Sequence, residues 1–102
     1  MPYPYRIHEK AHQEYIDAYL WYEMEKVGLG NEFEDCVERK LQQISEHPEF
    51  YSKKHNLRFR EAKIERFPFM IVYEFFPRKK FIHVAAICHQ KRTTVGRYRR
   101  MK

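Results

Sequence analysis

The side chains able to carry out acid–base or phosphate chemistry lie mostly in the second half of the chain. They are Lys63, Arg66, His89, Lys91, Arg92 and Tyr98. Cleaving an RNA phosphodiester without a metal requires a deprotonated 2′-hydroxyl, a stabilised phosphorane charge and a protonated leaving oxygen, which these residue types can provide. The simpler alternative, favoured by composition alone, is that the cations only contact a phosphate backbone or an acidic partner.

Metal, nucleotide and thiol chemistry are not indicated. The chain has no glycine-rich phosphate loop, nucleotide-binding glycine pattern, HExxH or CxxC pair. Cys88, His89 and His83 do not supply the four ligands of a closed zinc site. Cys36 and Cys88 are expected to be buried reduced thiols, and His89 differs because it ends a strand, where it could transfer a proton near neutral pH. We expect neither a metal nor a cofactor.

Charge divides the chain into an acidic half and a basic half. Residues 1–50 hold 5 Lys/Arg against 11 Asp/Glu, and residues 51–102 hold 15 against 3. Such asymmetry favours a polyanion or an acidic protein as partner, with a basic surface needed only for solubility as the alternative. The N-terminus shows neither a signal peptide nor a membrane anchor, so a cytoplasmic location is expected.

Hydrophobic periodicity predicts one α+β domain over residues 1–102. Two apolar runs, Met70–Phe76 and Phe81–His89, flank a polar turn and predict a β-hairpin. In the second run, strict alternation puts Ile82, Val84, Ala86 and Cys88 on one face. A strand over Leu57–Ile64 is also expected, with a bulge near Arg60 or Glu61 because its apolar residues change parity.

Two helices are predicted before these strands. The first begins near Glu9 and has an apolar stripe, which Ile16, Leu20 and Val27 widen. Gly28-Leu29-Gly30 ends it, and Asn31 is the expected N-cap of the second helix. With a short strand over residues 5–8, the predicted order is β-α-α-β-β-β. A basic tail is expected from about residue 90.

Several short motifs occur in a specific order. They are Trp21-Tyr22-Glu23, Gly28-Leu29-Gly30 before Phe33, Pro48, Arg66-Phe67-Pro68-Phe69 with Ile71 and Tyr73, and Ala86-Ile87-Cys88-His89 followed by Lys91-Arg92. From about Ile7 to Arg100 the chain resembles the RelE/ParE family of type II toxin-antitoxin toxins, and its ParE-like side in particular. The resemblance implies a small α+β fold in which two N-terminal helices pack on one face of an antiparallel sheet. It also implies growth inhibition, neutralised by a cognate antitoxin that we expect to be acidic.

The resemblance leaves two targets open. ParE-like toxins inhibit DNA gyrase without being ribonucleases, whereas RelE-like toxins cut mRNA in the ribosomal A site. For a ribonuclease, the resemblance implies Lys63, Arg92 and Tyr98 as catalytic residues, and His89 joins them for its position at the strand end. The arginine that such toxins carry in the hairpin strand falls on Met70. This departure favours inhibition by binding.

Target or nucleic-acid binding is assigned to five cations. They are Arg66, Lys91, Arg97, Arg99 and Arg100. A basic nucleic-acid-binding module without toxin activity is a weaker alternative. The oligomeric state stays open between a homodimer and a toxin–antitoxin hetero-oligomer, and no membrane partner is expected.

Overall fold

The computed structural model describes residues 2–54 and 58–91. The helices are α1 (Glu9–Glu25) and α2 (Leu29–Glu46), and the strands are β1 (Tyr5–Ile7), β2 (Lys53–Lys54), β3 (Phe59–Lys63), β4 (Phe69–Phe76) and β5 (Phe81–His89). The predicted element order is confirmed, with the two-residue β2 as an addition. No helix in the described part of the chain is long and apolar enough to cross a membrane.

The strands form one mixed sheet in the order β1-β5-β4-β3-β2. The neighbours among β2, β3, β4 and β5 pair antiparallel, but β1 runs parallel to β5. The expectation of a purely antiparallel sheet is therefore wrong at this edge. Two helices and three strands separate β1 from β5 in the chain, so no tight turn fixes their relative direction.

Both helices pack on one face of the sheet, as predicted. From the helices, Ala11, Phe33, Val37, Leu41 and Ile44 are buried against strand residues of that face, with Tyr15, Tyr19 and Tyr22 partly buried beside them. The strand residues are Ala62, Ile71, Tyr73, Ile82, Val84 and Ile87. This face holds the larger of the two buried clusters. We call it the helix face.

A second apolar cluster is buried on the opposite face of the sheet, the far face. Its members are Phe59, Met70, Val72, Ala85, Ala86 and Cys88. The predicted bulge near Arg60 is wrong, because β3 pairs with β4 without a shift from Arg60–Tyr73 to Lys63–Met70. The apolar residues of β3 change from odd to even positions because both faces of the sheet are buried here: Phe59 lies on the far face and Ala62 on the helix face. Leu57 lies outside the described residues.

The irregularity lies in the hairpin instead. Val72 is opposite Ala86 while Tyr73 is opposite Val84, so β5 contains one more residue than β4 at Ala85. The shift reverses the alternation along β5. Ile82 and Val84 lie on the helix face, whereas Ala86 and Cys88 lie on the far face. The predicted single face for these four residues is therefore wrong, although Cys88 is a buried thiol outside any disulfide, as expected.

The start of α2 also differs from the prediction. The N-cap is Gly28, whose φ of 90° suits glycine, and the helix already includes Asn31. The Glu23 carboxylate of α1 accepts hydrogen bonds from the N–H groups of Gly28 and Gly30, each at 2.9 Å. It thereby satisfies two backbone donors at the helix start, which replaces the expected side-chain cap. Tyr19 OH donates to the Asn31 side chain instead.

A polar row crosses the far face beyond the register shift. Arg6 lies opposite His83, His83 lies opposite Glu74, and Glu74 forms an ion pair with Arg58 at 3.0 Å. The His8 ring lies 5.9 Å from that of His83. Burial is the main cause that lowers the pKa of His83 below 6.5; His8 and Arg6 lower it further, and Glu74 opposes them.

We expect His83 to make the fold less stable in mild acid. Because its pKa is lower in the folded chain, its contribution is fully present above the ordinary value of 6.5 and is lost as the pH falls through the folded value. The melting temperature of His83→Gln should therefore fall less between pH 7 and pH 5 than that of the wild type. Equal decreases would contradict this expectation, and Glu74→Gln should make the decrease steeper.

Candidate functional site

Four aromatic side chains from different elements meet at one end of the molecule. Tyr22 of α1, Phe33 of α2, Phe67 of the β3–β4 loop and Phe69 of β4 have ring centroids 4.9–6.0 Å apart. Most of the contacts are edge-to-face, a favourable arrangement for aromatic rings. We call this group the aromatic junction. It fixes the β3–β4 loop against both helices, and burial raises the pKa of Tyr22.

Arg66 connects that loop to the start of α2. Its Nη2 donates to Glu32 Oε1 at 2.6 Å, and its guanidinium lies 5.6 Å from the ring centroid of Phe67. This hydrogen bond is the main cause that lowers the pKa of Glu32 and raises that of Arg66. The backbone φ of Arg66 is 73°, which is unusual for a residue with a side chain. Both ionic side chains are largely exposed.

The end of β5 is fastened beside the same loop. The Gln90 N–H donates to the Pro68 carbonyl at 2.9 Å, and its side-chain amide donates to the Phe69 carbonyl at 3.3 Å. His89 Nδ1 accepts the N–H of Lys91 at 3.1 Å, so a neutral His89 carries its proton on Nε2. The His89 ring also lies edge-on to Phe69. His89 and Lys91 are thus placed next to the loop that carries Arg66.

A groove opens between α1 and the ends of β4 and β5. Its wider part, about 510 Å³, is lined by Ala18, Trp21, Tyr22, Pro68, Phe69 and His89. A narrower part of about 240 Å³ shares four of these residues and continues along Glu14, Asp17, Ile87 and Cys88. We call the two parts together the α1–β5 groove. Trp21 is 60% exposed at its mouth.

The described residues contain no arrangement of three His, Cys, Asp or Glu side chains that could hold a metal ion. The chemistry available in this region comes instead from the imidazole of His89, the cations Arg66 and Lys91 and the aromatic walls of the groove. Imidazole can transfer a proton, and the cations can bind anionic groups. The same side chains are equally suited to binding a protein surface.

Comparisons with known proteins identify the family. The family model described as "ParE toxin of type II toxin-antitoxin system, parDE" matches residues 5–94. The chain belongs to the ParE toxin family. No curated protein sequence matches it.

Among solved structures, this ParE-family chain is similar to an arginine-to-alanine double mutant of the E. coli toxin RelE in the free state. The TM-score is 0.68 at 16% sequence identity, and the match covers 98% of this chain and 94% of that one. At this identity the likeness shows a shared fold. Membership of a type II toxin family also implies an antitoxin as partner.

The fold places two of the predicted catalytic residues of the ParE-family toxin on opposite faces of the sheet. Lys63 lies opposite Met70, which belongs to the far-face cluster, whereas His89 lies opposite Phe69, which packs against the helix-face core. Lys63 is exposed and lines a separate surface groove with Phe50, Tyr51, Ser52 and Glu61. Lys63 and His89 therefore do not face a common substrate position on the sheet.

Other predicted site residues divide into two groups. Arg66, His89 and Lys91 lie at the end of the molecule that holds the aromatic junction, because the hydrogen bond of Gln90 to Pro68 joins β5 to the β3–β4 loop. The rest lie outside the described residues: Arg92, Arg97, Tyr98, Arg99 and Arg100. The basic tail from about residue 90 is described only as far as Lys91.

Trp21 is the groove residue that sequence reasoning missed. Of the aromatic residues of α1, Tyr15, Tyr19 and Tyr22 pack against the core, whereas Trp21 is exposed. Ile16, Leu20 and Val27, expected to widen the apolar stripe, are likewise 38%, 52% and 89% exposed. The sequence did contain a signal for this exposure, because the apolar residues occupy more of the helix circumference than one packed face can cover.

Proposed function

We propose that this ParE-family toxin inhibits growth by binding an essential protein target, such as DNA gyrase, and that it does not cleave RNA. An acidic cognate antitoxin neutralises it in the cytoplasm by ordering on the basic half of the chain. The observation that carries the proposal is the row Lys63–Met70–Cys88 across β3, β4 and β5.

Met70 stands where the resemblance to RelE-like ribonucleases implies an arginine. Its side chain is only 4% exposed, and it lies in the far-face cluster with Val72, Ala86 and Cys88. A phosphorane needs a positively charged or hydrogen-bonding group aimed at its oxygens, and losing one such donor typically costs on the order of a hundredfold or more in rate. A buried thioether supplies no such donor.

The next row leads to the same interpretation. Glu61 lies opposite Val72, and Val72 lies opposite Ala86, so a carboxylate and two apolar residues stand beside the Lys63–Met70–Cys88 row. A carboxylate close to a cleaved phosphate repels it. In these two rows β4 and β5 therefore contribute buried, largely apolar side chains, which argues against a nucleolytic site there.

Ribosome-dependent mRNA cleavage is the alternative, favoured by the position of the half-buried His89 and the exposed Lys91 at the end of β5. His89 Nε2 is not engaged in the contact with Lys91, which uses Nδ1. It could act as an acid or a base near neutral pH if Arg92 and Tyr98 supplied the remaining groups. Nucleic-acid binding without toxicity is the third and weakest candidate.

The experiment compares the purified toxin in two assays: supercoiling by DNA gyrase, and mRNA cleavage on translating ribosomes. We expect inhibition of supercoiling, restored by the antitoxin encoded beside the toxin, and no mRNA cuts in the A site. Arg66→Ala should raise the half-inhibitory concentration about tenfold, as expected for an interface arginine worth about 1.4 kcal/mol.

Arg58→Ala is a matched control for Arg66→Ala. Each arginine is exposed and paired with one glutamate, but Arg58 pairs with Glu74 on the far face, away from the β3–β4 loop. Arg58→Ala should leave inhibition unchanged. A-site cuts without an effect on supercoiling would establish the ribonuclease alternative, and binding of nucleic acid with neither effect would favour the third candidate.

A further inference from the structure

The exposure of Trp21 is unusual for so large an apolar side chain. It is the single tryptophan of the chain and is 60% exposed, although its ring contacts Tyr22 edge-on at 5.1 Å. Large exposed aromatics at the mouth of a groove are typical of binding surfaces, where tryptophan is enriched among the residues that dominate affinity. Trp21 is therefore the first indication that the α1–β5 groove binds a ligand.

Aromatic rings form most of the groove wall. Trp21, Tyr22, Phe69 and His89 all line its wider part, with Ala18 and Pro68 between them. Phe69 lies 6.0 Å from Tyr22 and 5.5 Å from His89, so the rings are held by one another and by the aromatic junction. The faces of aromatic rings attract cations. A groove with several rings around it is suited to an organic cation.

The groove also has an acidic end. Glu14 and Asp17 line its narrower part, and Glu14 Oε1 accepts the N–H of Ile87 at 3.2 Å. Asp17 Oδ1 accepts one hydrogen bond from Gln13 at 2.8 Å, and within residues 2–54 and 58–91 Asp17 forms no ion pair. A cation in the aromatic part would lie next to a carboxylate that the described chain does not neutralise.

Cations of this chain are placed over other rings. Lys40, Arg58, Arg66 and Lys79 lie 5.0–5.8 Å from the ring centroids of Tyr51, Phe59, Phe67 and Phe76. In the part of the chain that the structure describes, no cation lies over Trp21, Tyr22, Phe69 or His89. Within the described residues, the groove rings are therefore not engaged by a cation of the chain itself.

We propose that the α1–β5 groove binds an arginine side chain of a partner protein, with the guanidinium against the aromatic wall and one edge toward Asp17. Arginine fits better than lysine because its planar group stacks on aromatic rings while donating to a carboxylate. The acidic charge of the N-terminal half, 11 Asp/Glu against 5 Lys/Arg, is complementary to such a partner. The binding of arginine in the groove does not depend on the proposed function; only the biological role of the partner does.

The test uses three blocked tripeptides, acetyl-Gly-X-Gly-amide, in which X is arginine, citrulline or leucine. Citrulline has nearly the shape of arginine without its charge. Because Trp21 is the single tryptophan, its fluorescence and its indole N–H resonance report binding in the groove. We expect the arginine peptide to shift both signals saturably, and the citrulline and leucine peptides to bind at least about tenfold more weakly.

Variants with matched charge separate the groove from general acidity. Asp17→Asn should weaken binding of the arginine peptide several-fold, whereas Asp35→Asn, on an exposed position of α2, should have no effect. Equal binding of citrulline or leucine would show an apolar pocket and overturn the proposal. So would a signal that does not saturate with the arginine peptide.

The peptide assay contains neither gyrase nor ribosomes, so its failure leaves the proposed function intact. Conversely, specific binding of the arginine peptide by a toxin that does not inhibit gyrase would support the groove and refute the proposed target. Circular dichroism of each variant confirms that the fold is retained.

Discussion

Phe33→Ala should lower the free energy of unfolding by about 3–5 kcal/mol, which is a large part of the stability of a domain of this size. Phe33 is fully buried at the centre of the aromatic junction and contacts Tyr15, Tyr22, Phe67 and Phe69. Truncation removes the contacts of α2 with α1, with the β3–β4 loop and with β4 together. The cavity cannot close without moving one of these elements.

Thermal and urea unfolding measure this effect. A loss of that size corresponds to a decrease in melting temperature of about 12 °C or more. Phe50→Ala is the control, because Phe50 is 77% exposed and its truncation should cost less than about 0.5 kcal/mol. Similar melting temperatures for Phe33→Ala and the wild type would show that the junction does not hold the elements together.

The elements themselves were predictable because each has a strong local signal. Val37, Leu41 and Ile44 recur at helical spacing on α2 and are all buried on the helix face. The two apolar runs of the hairpin are likewise β4 and β5. Periodicity identifies a helix or strand, but it does not state how much of the surface a neighbour covers. That is why periodicity assigns Leu20 and Val27 to the apolar stripe although both are exposed.

The site was harder to predict because its geometry depends on a one-residue shift in the pairing of β4 with β5. With strict alternation Cys88 shares the face of Ile82, whereas the extra residue at Ala85 moves Cys88 to the far face. The same shift places His89 beside Phe69 in the α1–β5 groove. A bulge of this kind has no signal in the composition of Val84-Ala85-Ala86, since these residues are apolar on either face.

Several motifs that identify the family have structural roles here. Glu23 accepts the N–H groups at the start of α2, and a Cβ added at Gly30 would lie 2.7 Å from the Tyr19 carbonyl. Phe67 and Phe69 complete the aromatic junction. These motifs therefore stabilise the fold and say little about the target. The target must be inferred from other surfaces, such as the far face and the groove.

The two candidate activities make the most different demands on the far face, where only the ribonuclease would need an arginine at position 70. The variant Met70→Arg tests this demand directly. Met70 is 4% exposed on β4, between Lys63 of β3 and Cys88 of β5. A guanidinium there would be buried among apolar side chains and would face the like charge of Lys63 without a counterion in its row. We expect the variant to lose about 3–5 kcal/mol of stability, the cost typical of an uncompensated buried charge.

Met70→Leu is the matched control, because a volume-conserving apolar exchange usually costs less than about 1.5 kcal/mol. Unfolding curves of the two variants measure the difference, and mRNA end mapping asks whether the arginine creates cleavage. Met70→Arg should melt far below Met70→Leu and cut no mRNA. If Met70→Arg instead folds as stably as the wild type and yields A-site cuts, then the far face accepts a charge at this position. The buried methionine would then no longer argue against catalysis. In that case mRNA cleavage would explain the toxicity better than binding does.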